Sequence, residues 1–270
     1  MKSVFVINDN SVEARSAAES ALMFAKSINA RLVIGSKVFK PASVELEPVV
    51  NGLEDEHHID EHLFSYLKVL NTYTEGEETE IAEVDISELD NSSLASFINQ
   101  NNIGVVIVPA GKINDASSLD MQIVLNKISV PMLMLPANWS YNDIQRLTYI
   151  TDLRWCRTDV LGYLGKLTLP NKVDLFVGHV AASGIPDLDE DFAKQIFFEA
   201  AKRCGNQQNL NFHHIKSADI ATVADVLIHG MKNDALVLIN HSAHYGYFVG
   251  KKLSLNHPEL ISVPLLLYPN

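Results

Sequence analysis

The sequence predicts an α/β fold: two tandem, doubly wound domains, each built on a five-stranded parallel sheet. Three observations predict it. Short apolar runs alternate with helical stripes along the whole chain, one apolar motif from the middle returns at the end, and 270 residues with 47% hydrophobic content suffice for two ordinary cores.

Val4 to Ile7 is the first apolar run and reads as a strand. From Val12 to Asn29 the apolar positions Ala14, Ala17, Ala18, Ala21, Leu22, Ala25 and Ile28 trace one helical face, with Asn10 or Ser11 available as N-cap. Strand Leu32 to Phe39, helix Glu54 to Tyr73, strand Glu80 to Val84, helix Leu89 to Asn101, strand Val105 to Val108, helix Leu119 to Lys127 and strand Val130 to Leu135 complete a βαβαβαβαβ string. A second string follows. It runs through strand Leu147 to Ile150, helix Trp155 to Leu167, strand Val173 to Val180, helix Asp189 to Cys204, strand Asn211 to Ile215, helix Ile220 to Met231, strand Leu236 to Ile239, helix Lys251 to Leu260 and strand Val263 to Leu267.

The repeat is explicit at the ends of the two strings. Ile128-Ser129-Val130-Pro131-Met132-Leu133-Met134-Leu135-Pro136 returns as Ile261-Ser262-Val263-Pro264-Leu265-Leu266-Leu267-Tyr268-Pro269, an offset of 133. Val4-Phe5-Val6-Ile7-Asn8-Asp9 parallels Leu147-Thr148-Tyr149-Ile150-Thr151-Asp152. Proline closes each last strand because it cannot donate to the ladder. Domains at 1–138 and 143–270 follow from this layout. Strict alternation implies right-handed crossovers and parallel strands, so ligands are expected beyond the carboxyl ends of the strands, where strand order reverses.

Composition narrows the partners. With 33 acidic against 21 basic side chains the net charge is -12, which disfavours nucleic acid and anionic membrane surfaces, and no basic patch offsets it. No apolar run reaches membrane-spanning length, and the first one is too short for a signal peptide. Cys156 and Cys204 form no CxxC motif and read as two thiols of a reducing compartment.

After the first strand stand Asn8-Asp9-Asn10-Ser11, and after its counterpart Thr151-Asp152. An aspartate there can cap the next helix, or accept a hydrogen bond from a ligand's amino or hydroxyl group. The doubled domain, the polar-Asp-polar-Ser turn, the Ala-rich first helix and the closing Ser-Val-Pro-apolar strand together resemble the universal stress protein family in its tandem form, over essentially the whole chain. That resemblance implies a Rossmann-like, adenine nucleotide α-hydrolase-like fold, a cytoplasmic stress-response protein, and two domains packed as a pseudo-dimer whose last strands meet at the junction. A further homodimer stays open. It also implies regulatory binding of a small ligand, with ATP or AMP as the candidate, or of a protein partner. By position Asp9 and Asp152 match the family aspartate, and Val38 and Val180 lie near the backbone that would contact the base.

The sequence departs from the family at the phosphate loop after the fourth strand, G-x-x-G-x9-G-[ST]. The first copy, from Pro109 through Gly111 to Leu119, holds one glycine, and Asp115 and Asp120 would repel phosphates. The second, Asn240-His241-Ser242 through Gly246 and Gly250 to Lys251 and Lys252, has two glycines at another spacing but offers two cations, so it is the favoured site. Side chains bulkier than hydrogen keep phosphate oxygens from backbone amides. Gly246 to Lys252 does not have Walker spacing.

Other chemistry is less supported. His58 and His62 share a helical face and are weak candidates for a metal, but His58-Ile59-Asp60-Glu61-His62 is not H-E-x-x-H. His213 and His214 are adjacent on a strand and point to opposite faces. Ser242, His241 and Asp152 could be drawn as a triad, yet no G-x-S-x-G elbow supports a hydrolase. Two alternatives to regulatory binding stay open: an ATP-using enzyme of the α-hydrolase-like group, although the first turn lacks that group's glycine-rich loop, and a protein-interaction module without a ligand.

Overall fold

The computed structural model describes residues 3–37, 60–74, 76–111, 119–137, 139–142, 144–152, 158–168, 173–180, 189–203, 210–215 and 219–270. The first half of the chain contributes β1 (Ser3–Asn8), α1 (Val12–Ser27), β2 (Arg31–Ser36), α2 (Asp60–Tyr73), β3 (Ile81–Asp85), α3 (Asn91–Gln100), β4 (Ile103–Pro109), α4 (Met121–Leu125) and β5 (Met132–Leu135). The second contributes β6 (Arg146–Thr151), α5 (Thr158–Thr168), β7 (Asp174–Val180), α6 (Glu190–Arg203), β8 (Leu210–Ile215), α7 (Ile220–Asp225), β9 (Ala235–Ile239), α8 (Tyr245–Phe248) and β10 (Leu265–Tyr268).

Local chemistry explains the helix starts. The Ser11 hydroxyl accepts from the Ala14 amide at 3.0 Å and opens α1, whose alanine face is buried on the sheet. Asp90 and Asp219 cap the equivalent helices α3 and α7 in the two halves, each bonding the amide three residues on. Both carboxyls are held below their ordinary range, Asp90 mainly by the Ser93 amide and Asp219 mainly by the Thr222 hydroxyl.

All ten strands lie in one sheet of order β3-β2-β1-β4-β5-β10-β9-β6-β7-β8. Each half is a parallel five-stranded sheet of the same internal order, and the two are joined by the antiparallel pair β5–β10. The expected doubly wound pair of sheets is therefore present, fused edge to edge. In that seam Leu266 pairs with Leu133, Leu265 with Met134 and Leu267 with Met132. Leu133 and Leu266 are also equivalent by the repeat, so a pseudo-twofold axis passes between them and each strand meets its own counterpart. Joining the two last strands this way removes two open edges.

Both faces of the sheet are covered, and both apolar layers run across the seam. One layer takes in Val6, Ala21, Leu133, Leu266, Tyr149 and Phe197, and the other Phe5, Ile98, Met134, Leu265, Leu238 and Phe248.

Two expectations fail in the second half. The helix expected over Lys251 to Leu260 is absent: that stretch is a series of turns, and the short α8 precedes it. Lys252, Leu253 and Leu255 have positive φ, and the Asn256 amide nitrogen donates to the carbonyls of Gly246, Tyr247 and Val249, so the chain coils back over α8. The helix expected over Ile220 to Met231 is α-helical only to Asp225 and continues as a π turn, Val226–Gly230. Asn233 ties this turn down: its amide nitrogen donates to the Leu227 carbonyl at 2.6 Å, while its oxygen accepts from the Thr148 hydroxyl at 2.7 Å.

Candidate functional site

Strand order reverses twice, between β1 and β4 and between β6 and β9, and the predicted residues sort to these two places. At the first, Asp9 turns back on its own chain. Its carboxylate accepts from the Ser11 amide at 3.1 Å and the Ser11 hydroxyl at 2.6 Å, so it steadies the residue that caps α1. Lys37 follows β2 and its amide donates to the Asn8 carbonyl at 2.9 Å. Burial pushes its ammonium group below the ordinary lysine range, and the Asp9 carboxylate partly opposes this. Pro109 ends β4. Gly111 has φ +143°, and its amide donates at 3.3 Å to the Leu253 carbonyl of the other half.

At the second reversal lies a cavity of about 380 Å³, lined by the polar residues Thr151, Asp152, Asn240, His241, Ser242 and Asn270 and by Ile150 and Ile239. The carboxyl ends of β6 and β9 thus bring together four of the predicted residues: Asp152, Asn240, His241 and Ser242. Asp152 is 8% exposed and Asn240 1%. The Ser242 hydroxyl is buried with no hydrogen-bond partner. No bond therefore links it to His241, whose Nε2 lies 3.2 Å from Asn126 Oδ1, and the triad drawn from the sequence is not assembled.

The roof of this reversal is built by contacts the sequence did not reveal. His244 Nε2 donates to the Val180 carbonyl at 3.1 Å, carrying the loop after β9 across the end of β6 to the end of β7. That carbonyl belongs to the residue expected near a ligand base. The Asn240 amide is held by Asn126 Oδ1 at 2.7 Å and by Gln122 Nε2 at 3.2 Å, both from the first half. Tyr245 donates to Gln122 Oε1 at 2.7 Å, and burial pushes its phenol up to about 12. These partners stand 64 to 123 residues apart in the chain, so periodicity had no signal for them.

Gly250, Lys251 and Lys252 do not line the cavity, and both lysines are exposed. A Cβ on Gly250 would stand 2.7 Å from Ser254 Oγ and 3.1 Å from Asn256 Oδ1. Val38, Asp115, His58, Cys156 and Cys204 lie outside the described residues, as does the side chain of His62. Among the described residues no three His, Cys, Asp or Glu side chains gather as a metal site. None of their helices is long and apolar enough to cross a membrane.

His213 and His214 do face apart. His213 stacks on Phe176, whereas His214 meets its register partner His179 with Nδ1 atoms 2.7 Å apart, one donating and one accepting. The signal was there in the matched positions of two histidines near the ends of neighbouring strands, legible only once the register is known.

No family model matches the chain, and no curated protein matches it by sequence. Solved structures do. A universal stress protein from Archaeoglobus fulgidus DSM 4304 superposes with a TM-score of 0.54 at 12% identity, over 99% of this chain and 96% of that one. A candidate universal stress protein from Pseudomonas aeruginosa UCBPP-PA14 gives 0.53 at 11% identity, over 100% and 93%. A protein of unknown function from Pseudomonas aeruginosa PAO1 gives 0.51 at 11% identity, over 100% and 92%. The chain has the fold of tandem universal stress proteins from end to end.

Proposed function

We propose that this chain is a non-catalytic, cytoplasmic stress-response protein of the universal stress type, with domains at 1–138 and 143–270, that acts by regulatory binding of a small ligand in its second domain. The observation that carries the reading is the cavity at the β6–β9 reversal, walled by Asp152, Thr151, Asn240 and Ser242. Its volume lies within the range of small-molecule sites. The Asp152 carboxylate and the Thr151 hydroxyl of this wall suit a ligand rich in amino and hydroxyl groups, which describes the base and sugar of an adenine nucleotide.

The test is thermal unfolding of the full chain with ATP or AMP. Ligand at 100 times its dissociation constant adds roughly 2.7 kcal/mol of stability to the native state. Asp152→Ala abolishes that gain and Asp9→Ala leaves it, because Asp9 serves the helix cap. Equal loss in both variants would overturn the assignment to the second domain, and turnover of ATP would favour the enzyme reading.

A second reading, a protein-interaction module without a ligand, is favoured by the internal contacts of Asn240, His241 and His244, which occupy groups a ligand would use. No stabilisation by any nucleotide or nucleoside would select it.

A further inference from the structure

Resting on the ligand-binding reading above, we infer that Gln122 and Asn126 of the first half are positioning residues for the β6–β9 cavity of the second. The site is then composite, and its ligand affinity depends on how α4 is docked.

Two cavity-lining residues, Asn240 and His241, are bonded through their side chains to α4 and its C-cap. Gln122 Nε2 donates to Asn240 Oδ1 at 3.2 Å, Asn240 Nδ2 donates to Asn126 Oδ1 at 2.7 Å, and His241 Nε2 donates to that same oxygen at 3.2 Å. The Tyr245 hydroxyl completes the set by donating to Gln122 Oε1 at 2.7 Å. These bonds fix every carboxamide in one orientation. With its oxygen taken by Tyr245, Gln122 presents its nitrogen to Asn240, which in turn presents its own nitrogen to Asn126. Asn240 is 1% exposed and held at both ends of its carboxamide, so its side chain anchors the loop after β9 rather than reaching a ligand.

That loop needs an anchor. His241 has φ 60°, a left-handed conformation that a side chain with a Cβ adopts at a cost. Its bond to Asn126 offsets the cost and fixes the turn in which the Ser242 amide donates to the Ile239 carbonyl at 3.0 Å. The helix makes a firm post. Met121, Val124 and Leu125 are buried in the apolar layer that crosses the seam, while Gln122 and Asn126, four residues apart, share the face turned to the second half.

The arrangement is one-sided. Counted back from the closing motifs by their offset of 133, the counterparts of Gln122 and Asn126 are Leu255, which is buried, and Glu259, which is exposed. On that side the described bond is between backbones, from the Gly111 amide to the Leu253 carbonyl at 3.3 Å.

Amide hydrogen exchange and calorimetric titration with AMP and ATP, both on the full chain, test this. Gln122→Ala and Asn126→Ala each speed exchange at Ser242 and Tyr245, whose amides close turns of the loop, on the order of tenfold more than at Leu238 in the sheet, because the lost bond frees the loop and not the core. Nucleotide affinity falls by a similar factor. Asn126→Asp restores slow exchange, since a carboxylate accepts the same bonds. Ile123→Ala, at an exposed position of the same helix, changes neither exchange nor affinity. Loop exchange speeded no more than that of Leu238 in both alanine variants would overturn the anchoring. Faster loop exchange with unchanged affinity would overturn the positioning role and leave ligand binding in place. No heat from either nucleotide with the unaltered chain would remove the ligand reading and this inference with it.

Discussion

The two strand-order reversals are built alike in strand order and lined differently. In the first half Asp9 bonds Ser11, Ser11 caps α1, and the Gly111 amide is bound to a carbonyl of the other half. In the second half Asp152 lines a cavity together with Asn240 and Ser242. A repeat conserves backbone course more strictly than it conserves the work of a side chain.

The halves also differ in how they hold together locally, while the seam treats them as equals. The largest effect is expected there. Leu266→Ala should cost about 2–5 kcal/mol, since a large side chain is lost from a layer shared by both halves. Urea unfolding should stay a single transition; a shift in only one of two transitions would break the picture of a common core. Next comes Asn233→Ala, which removes the acceptor of the buried Thr148 hydroxyl and the side-chain bond to the Leu227 carbonyl of the π turn, and should cost about 1–3 kcal/mol in the same assay.

Smaller effects sharpen the comparison at matched turns. Before β4 the left-handed residue is Asn102, φ 54°, and before β9 it is Lys232, φ 53°. Asparagine adopts that conformation readily and lysine does not, so Lys232→Gly should stabilise by about 1 kcal/mol while Asn102→Gly gains less. Smallest is an acid effect shared by both halves. Asp90 and Asp219 have folded pKa values below the ordinary carboxylate value, so their stabilisation is present above that value and is lost as pH falls through the folded one. Asp90→Asn combined with Asp219→Asn should leave the neutral-pH melting temperature nearly unchanged, because asparagine also caps, and should flatten its decline below about pH 4.

Strands and most helices were legible because burying an element imprints its own period on a short window of sequence. The Ala face of α1 with its Ser11 cap and the paired closing motifs are of this kind. The coil from Gly250 to Asn256 was not legible. Its residues read as a helix, but the Asn256 side chain claims the Gly246 and Tyr247 carbonyls of α8, and Lys252, Leu253 and Leu255 are left-handed. The site divided in the same way. Asp152, Asn240, His241 and Ser242 could be named because they follow predicted strands, whereas Lys251 and Lys252 follow the same strand and lie outside the cavity.

By itself the sequence determined the doubling, the alternation of strands and helices, and the aspartate at each first-strand end, since each is written in neighbouring residues. Only the tertiary structure decided the rest: that Leu133 meets Leu266, that His179 meets His214, and that Gln122 and Asn126 of one half hold Asn240 of the other. The reason is physical. Hydrogen bonds between residues far apart in the chain depend on sheet register and on how the two halves dock, and neither leaves a periodic trace in the residues that make them.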